Sequence, residues 1–224
     1  MRFINLNLKT FGFVMLGFLG LFQTPWVHAG KPSKSPVVLS MDPRKWNFLY
    51  SVGMPRNPRA SSSNSWIFDF PDISQGEIDY ITQSVSGAIM GTLLRADIKI
   101  TTLGNPVFDY KTESGNTCDF PAHARFYIQR AWTNNNYDRW WANPIAFKLE
   151  SASATLSVPL DPSQWTDTWG HRGSEDLASV AGFKKALNEV TQIGLTFGGG
   201  CFFGHGVRVV GGTADFEVTQ FKIE

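Results

Sequence analysis

Residues 132–143 read W-T-N-N-N-Y-D-R-W-W-A-N. Trp132, Tyr137, Trp140 and Trp141 cluster around an asparagine-rich loop, with Arg139 and Asn143 beside them. Aromatic faces stack on the C–H face of a sugar ring, while amides and guanidinium groups hydrogen-bond its hydroxyls. These residue types in this density point to a saccharide site, because large aromatics grouped on a surface mark a binding patch. The competing reading is structural, with Trp140 or Trp141 pinning the next strand into the core. Adjacent residues of a strand point to opposite faces, so one of the pair can be buried while the other is displayed. Trp165 and Trp169 flank Thr166-Asp167-Thr168 just before His171. They either line a second part of the same groove or, as Trp more often does, seal a loop against the core.

Other chemistry is weaker. His123, His171 and His205 are the histidines beyond residue 29, and none has the H-x-x-x-H spacing of a zinc site. His205 lies between two glycines, which favours close backbone packing. Gly198, Gly199 and Gly200 lack the downstream Lys-Ser/Thr of a phosphate loop. Asp69, Asp72, Glu77, Asp79, Asp215 and Glu217 can gather oxygen ligands for a structural Ca²⁺ ion if the first and last strands are neighbours. The alternative is solvated strand edges that discourage pairing with other chains. No G-x-S-x-G elbow occurs, and Ser, His and Asp are too scattered to nominate a triad. Glu150, Asp161, Asp167 and Glu175 cannot be paired across a cleft from sequence, so no catalytic residue, cofactor or metal ligand is nominated.

The chain has 224 residues. Residues 1–29 have a basic start (Arg2, Lys9), an apolar run over 11–22 and Val27-His28-Ala29 before Gly30, the pattern of a cleaved secretory signal. The apolar run is shorter than the roughly 20 residues needed to span a bilayer. Export to a secreted or periplasmic location follows, with no membrane span after cleavage. Taking Arg2 and Lys9 from the 20 basic residues leaves 18 against 19 acidic ones. That near-neutral balance argues against a nucleic-acid binder, which needs a basic face. Cys118 and Cys201 are the two cysteines, and an even pair in an exported chain implies one disulfide.

The elements that must position these residues are mostly strands. Residues 30–65 read as an N-terminal arm, with 55–64 resembling a flexible linker; whether Trp46 and Phe48 pack on the body stays open. Leu94, Ala96, Ile98 and Ile100 alternate with Arg95, Asp97, Lys99 and Thr101, the clearest strand in the chain. Gly104-Asn105-Pro106 predicts a turn. Ala124, Phe126 and Ile128 alternate with Arg125, Tyr127 and Gln129. A helix is expected within 174–190, with Leu177, Val180, Ala181, Phe183 and Leu187 on one face and Ser174-Glu175-Asp176 at its start. Residues 190–207 read as strand, glycine turn and strand, a central hairpin. Phe221 and Ile223 fall out of phase with Ala214, Phe216 and Val218, which calls for a bulge near Thr219-Gln220.

At least eight short strands and one helix predict an all-β fold, an antiparallel β-sandwich (jelly roll) over 66–224. The order Leu156-Ser157-Val158-Pro159-Leu160, Trp165, a helix with Phe183, the strand to Phe197, a glycine turn and a last strand to Ile223 resembles the galactose-binding-like jelly rolls that include many carbohydrate-binding modules. The resemblance is one of layout and carries no ligand motif, so no binding residue is transferred from it. The block G-L-T-F-G-G-G-C-F-F-G-H-G-V also resembles uncharacterised secreted bacterial proteins. The function expected is a secreted, non-catalytic sandwich that binds cell-wall or extracellular glycan through the aromatic loop. A glycan hydrolase or lyase on the same scaffold, and an envelope module that binds a protein partner, are the alternatives.

Overall fold

The computed structural model describes residues 37–110, 121–199 and 204–224. The leader at 1–29 and both Cys118 and Cys201 lie outside the described residues. In chain order the strands are β1 (Trp46–Leu49), β2 (Arg59–Ser62), β3 (Ser65–Asp69), β4 (Tyr80–Gly87), β5 (Leu93–Tyr110), β6 (His123–Gln129), β7 (Arg139–Ala142), β8 (Phe147–Lys148), β9 (Ala152–Pro159), β10 (Trp165–Thr166), β11 (Val190–Gly198) and β12 (Val207–Ile223). Among the described residues one α-helix, α1 (Leu177–Asn188), precedes β11. Two antiparallel sheets result, one ordered β1-β4-β11-β6-β7-β10 with β8 beside β6, the other β2-β3-β12-β5-β9. The protein is an all-β antiparallel sandwich.

Alternation builds the core. The apolar members of β5 and β6 (Leu94, Ala96, Ile98, Ile100; Ala124, Phe126, Ile128) are all buried. Phe197 of β11 meets Phe68 of β3 at 5.8 Å and Phe216 of β12 at 5.2 Å between ring centroids, so aromatic rings join the two inner faces. The β5–β12 ladder slips between Val218 and Gln220, which brings Phe221 back to the core at 4% exposure.

Three expectations are corrected. Residues 190–207 are not a hairpin: β11 pairs with β4 and β6, whereas β12 pairs with β3 and β5, so the chain crosses from one sheet to the other. Period-2 patterning identifies strands, but it does not say which strand each will pair with. Gly104-Asn105-Pro106 does not reverse the chain, because β5 runs through it and takes up the irregularity as a bulge, with Asn105 and Pro106 opposite the single residue Gly211 of β12. Nor is 55–64 a flexible linker, since β2 lies within it, and Trp46 does pack on the body. Trp46 is fully buried, β1 pairs with β4, and β2 pairs with β3. The segment is irregular in pattern because its two short strands belong to different sheets.

Helix α1 starts one residue after its N-cap Asp176, whose carboxylate accepts from the Ser179 N–H at 2.7 Å. Phe183 and Ala186 are its buried apolar side chains, while Leu177, in its first turn, is 88% exposed. Phe183 lies 5.1 Å from the Trp140 ring and 5.7 Å from that of Trp165, so α1 closes the edge where β7 and β10 meet.

Candidate functional site

On β7 alternation sends Trp140 inward and Trp141 outward. Trp140 is fully buried in the main core; its indole N–H donates to the Tyr137 carbonyl at 2.9 Å, and Tyr137 stacks on it at 6.1 Å. Trp141 instead joins Tyr80 of β4 and Tyr127 of β6 in a separate cluster on the outer face of the larger sheet, with Leu49 packed against it. Tyr127 and Trp141 are register partners 5.2 Å apart, and Tyr80 meets Tyr127 at 4.9 Å.

Two exposed rings complete this face. Tyr50 follows β1 directly and is 57% exposed; Trp132 follows β6 and is 53% exposed. They stack at 4.9 Å with 28° between planes, and Tyr50 also meets Tyr80 at 5.8 Å. The Arg139 guanidinium lies 4.2 Å over the Trp132 ring and 6.0 Å from that of Trp141. Tyr50, Trp132, Arg139, Trp141, Tyr127 and Tyr80 therefore form a closed circuit of contacts, drawn from β4, β6, β7 and the loops after β1 and β6.

Local geometry explains how the circuit is held. Tyr50 has φ of 58°, a left-handed conformation that a bulky residue adopts only at a cost of about 1–3 kcal/mol. Gly194 of β11 is the register partner of both Thr82 and Tyr127, and a Cβ there would lie 2.1 Å from the Ile81 carbonyl oxygen. Gly204, at φ of 69°, passes so close to Tyr80 that a Cβ would lie 2.1 Å from its hydroxyl. The Trp132 loop hangs on Asp138, which has no exposed surface and accepts from the Arg130 guanidinium and the Thr133 hydroxyl. Arg130 also donates its N–H to the Asp138 carbonyl at 2.8 Å, and the Asn135 side chain accepts from the Tyr137 N–H at 2.9 Å.

The electrostatics are those of phenols and one cation. Burial pushes the Tyr80 phenol up to about 12, partly offset by the Thr196 hydroxyl and the Trp141 indole. That indole N–H approaches the Tyr80 hydroxyl without closing a hydrogen bond of good geometry. Burial also raises Tyr127, whose hydroxyl donates to the Gln129 side chain at 2.7 Å. Both phenols are neutral hydrogen-bonding groups at physiological pH. Arg139 has a buried Nε with no hydrogen-bond partner, and among the described residues no carboxylate lies within ion-pair distance of it.

Of the residues the sequence singles out, the structure brings Trp132, Arg139 and Trp141 together and separates the rest. Trp140 is core and Tyr137 lies beneath the helix. Asn143 is taken up by structure, its N–H donating to the Gln164 carbonyl and its carbonyl accepting from Arg172 at 2.7 Å. Trp165 is fully buried, whereas Trp169 is 72% exposed on a loop held by Asp167, which accepts from the N–H groups of Trp169 and His171 at 2.9 Å. The Asn136 side-chain amide donates to the same carboxylate, tying that loop to the asparagine run. Tyr50 and Tyr80 were missed. One signal for Tyr127 is present in the sequence, an aromatic on the polar phase of a strand.

Two other places compete. Asp69 and Asp215 are register partners on β3 and β12, so the first and last strands are neighbours, but Arg59 binds Asp69 at 2.7 Å and reaches Asp215 at 3.9 Å. A hydrogen bond with Asp69, then burial, raises the Asp215 carboxyl to about 6. Among the described residues no group of three or more His, Cys, Asp or Glu is arranged to hold a metal ion. A cavity of about 350 Å³ is lined by Met54, Pro58, Arg59, Ile67, Asp69 and Phe70. Its charged groups, Arg59 and Asp69, already satisfy each other, which leaves the aromatic face as the better-equipped site. Compared with protein-family models, curated proteins and solved structures, the chain finds no match.

Proposed function

We propose that this protein is an exported, non-catalytic β-sandwich that binds carbohydrate on the outer face of its larger sheet. One observation carries the reading: two exposed rings, Tyr50 and Trp132, stack on each other with a guanidinium over the second, above a floor of buried Tyr80, Tyr127 and Trp141. Large aromatics left in water on a surface are costly unless something covers them. A sugar supplies C–H faces for the rings and hydroxyls for Arg139 and the amides, and pre-stacked rings lose little conformational entropy on binding.

Export is supported by the leader-like pattern of residues 1–29. It goes with a single Cys118–Cys201 disulfide, and the two cysteines flank in sequence the register partners His123 and Gly198. No residue is assigned a catalytic role. Retention of the chain from Gly30 onward on immobilised polysaccharides, with released reducing sugar assayed in the same tubes, tests the reading. Retention without release supports it. Release makes the protein an enzyme, and the absence of both retention and release removes the carbohydrate assignment.

A further inference from the structure

Granted a saccharide on this face, on which the step rests, we infer that the sugar is acidic and that its carboxylate is held by Arg139. The guanidinium is the one cation of the aromatic circuit, and it carries no carboxylate partner among the described residues. The neighbouring arginine, Arg130, shows the contrast, being paired to Asp138 and to Glu189 at 3.4 Å. Stacking on Trp132 uses the flat face of the guanidinium and leaves its in-plane N–H edge for hydrogen bonds.

Chemistry favours an anion at that edge. A hydroxyl makes a neutral hydrogen bond with a guanidinium, whereas a planar carboxylate accepts two parallel N–H bonds and neutralises the charge. The phenols of the floor, Tyr80 and Tyr127, are neutral at physiological pH as phenols ordinarily are, and burial raises them further, so they set no repelling charge beside the anion. A uronic acid residue, with an apolar ring face and one carboxylate, matches the stacked rings and the free guanidinium edge together.

The test uses the chain from Gly30 onward with polygalacturonate, alginate and hyaluronate, each against its methyl ester, which keeps the sugar and removes the charge. A neutral polysaccharide panel runs alongside. The expected result is at least tenfold tighter binding of the free acids, weakened by raising salt from about 0.05 to 0.5 M. Arg139→Gln should lose about 10- to 100-fold on the acids, the worth of a charge-assisted contact, and little on the esters. Arg139→Lys should recover part of the loss, since it restores charge but not the fork. Equal binding of acid and ester, or an Arg139→Gln variant that binds the acids normally, overturns the inference and leaves the carbohydrate reading intact. No binding to any acidic or neutral glycan overturns both. Circular dichroism and melting of each variant separate lost binding from lost folding.

Discussion

Tyr50 and Trp132 stack with their ring centroids 4.9 Å apart, although one follows the first strand and the other follows the sixth. Both are more than half exposed, and Tyr50 is held in a left-handed backbone conformation to reach its partner. The proposed binding role gives that exposed, strained pair its purpose, and variants at these positions test it.

Tyr50→Asn separates stability from binding. Asparagine tolerates the left-handed conformation, so relief of about 1 kcal/mol of strain offsets the loss of an exposed stacking contact of similar size. Melting temperature should change by only a few degrees, while retention on glycan should be lost. A variant that melts normally and binds normally would remove Tyr50 from the site.

Trp140→Ala and Trp132→Ala should behave in opposite ways. Trp140 is fully buried against Phe183 and Tyr137, and its truncation should cost about 3–5 kcal/mol with loss of cooperative unfolding near 37 °C. Trp132 is half exposed; its truncation forfeits a surface cation–π contact and the exposed Tyr50 stack, together worth about 1–2 kcal/mol. Thermal unfolding checks both, and comparable destabilisation by the two substitutions would contradict the placement.

This pair also shows what the sequence makes legible. Alternation within the W-W dipeptide predicts opposite faces, and the strands with strict period-2 patterns, such as the one carrying Ile98 and Ile100, are read correctly. Pairing is not readable in the same way. The strands either side of the 199–206 connection belong to different sheets, a choice made by core packing over long range. The site is legible only in part for the same reason: Trp132, Arg139 and Trp141 are close in sequence, but Tyr50 and Tyr80 reach the face through strand order. Tyr50 sits in a segment whose short strands carry no clear period, which made that segment read as an arm.

Asp138→Ala should destabilise the protein by about 3 kcal/mol, because it removes a buried carboxylate's bonds to the Thr133 hydroxyl and the Arg130 guanidinium and leaves Arg130 with Glu189 alone. Asp138→Asn keeps the shape and should cost less. Chemical denaturation measures the order of the two. The Trp132 loop depends on this carboxylate, so even a folded Asp138→Asn variant should bind glycan more weakly.

Stability should fall as pH rises from about 4 to about 7 through the Asp69–Asp215 pair. The Asp215 carboxyl is raised to about 6, chiefly by its hydrogen bond with Asp69, so between its unfolded and folded values the native state holds the extra proton. That stabilisation is full below about 4 and is lost as pH passes 6. Asp215→Asn should flatten this part of the profile and raise the melting temperature at pH 7 to 8. An unchanged profile in the variant would rule out the shared proton.

A Cys118–Cys201 bond should appear in the exported protein as a mass two hydrogens below the reduced chain, with no thiol titrated before reduction. Reduction should lower stability by roughly 4.5 kcal/mol, the chain-entropy value for a loop of this length. Two free thiols in the native protein would contradict the bond.

The central claim is that the Tyr50–Trp132 face binds saccharide without cleaving it. Its most direct test is retention of the chain from Gly30 onward, beside its Trp132→Ala variant, on a panel of neutral and acidic polysaccharides, with reducing sugar assayed throughout. The account predicts retention of the unsubstituted chain on at least one polysaccharide, at least a tenfold loss in the folded Trp132→Ala variant, and no sugar released. Full retention by Trp132→Ala, or release of sugar by the unsubstituted chain, would contradict it.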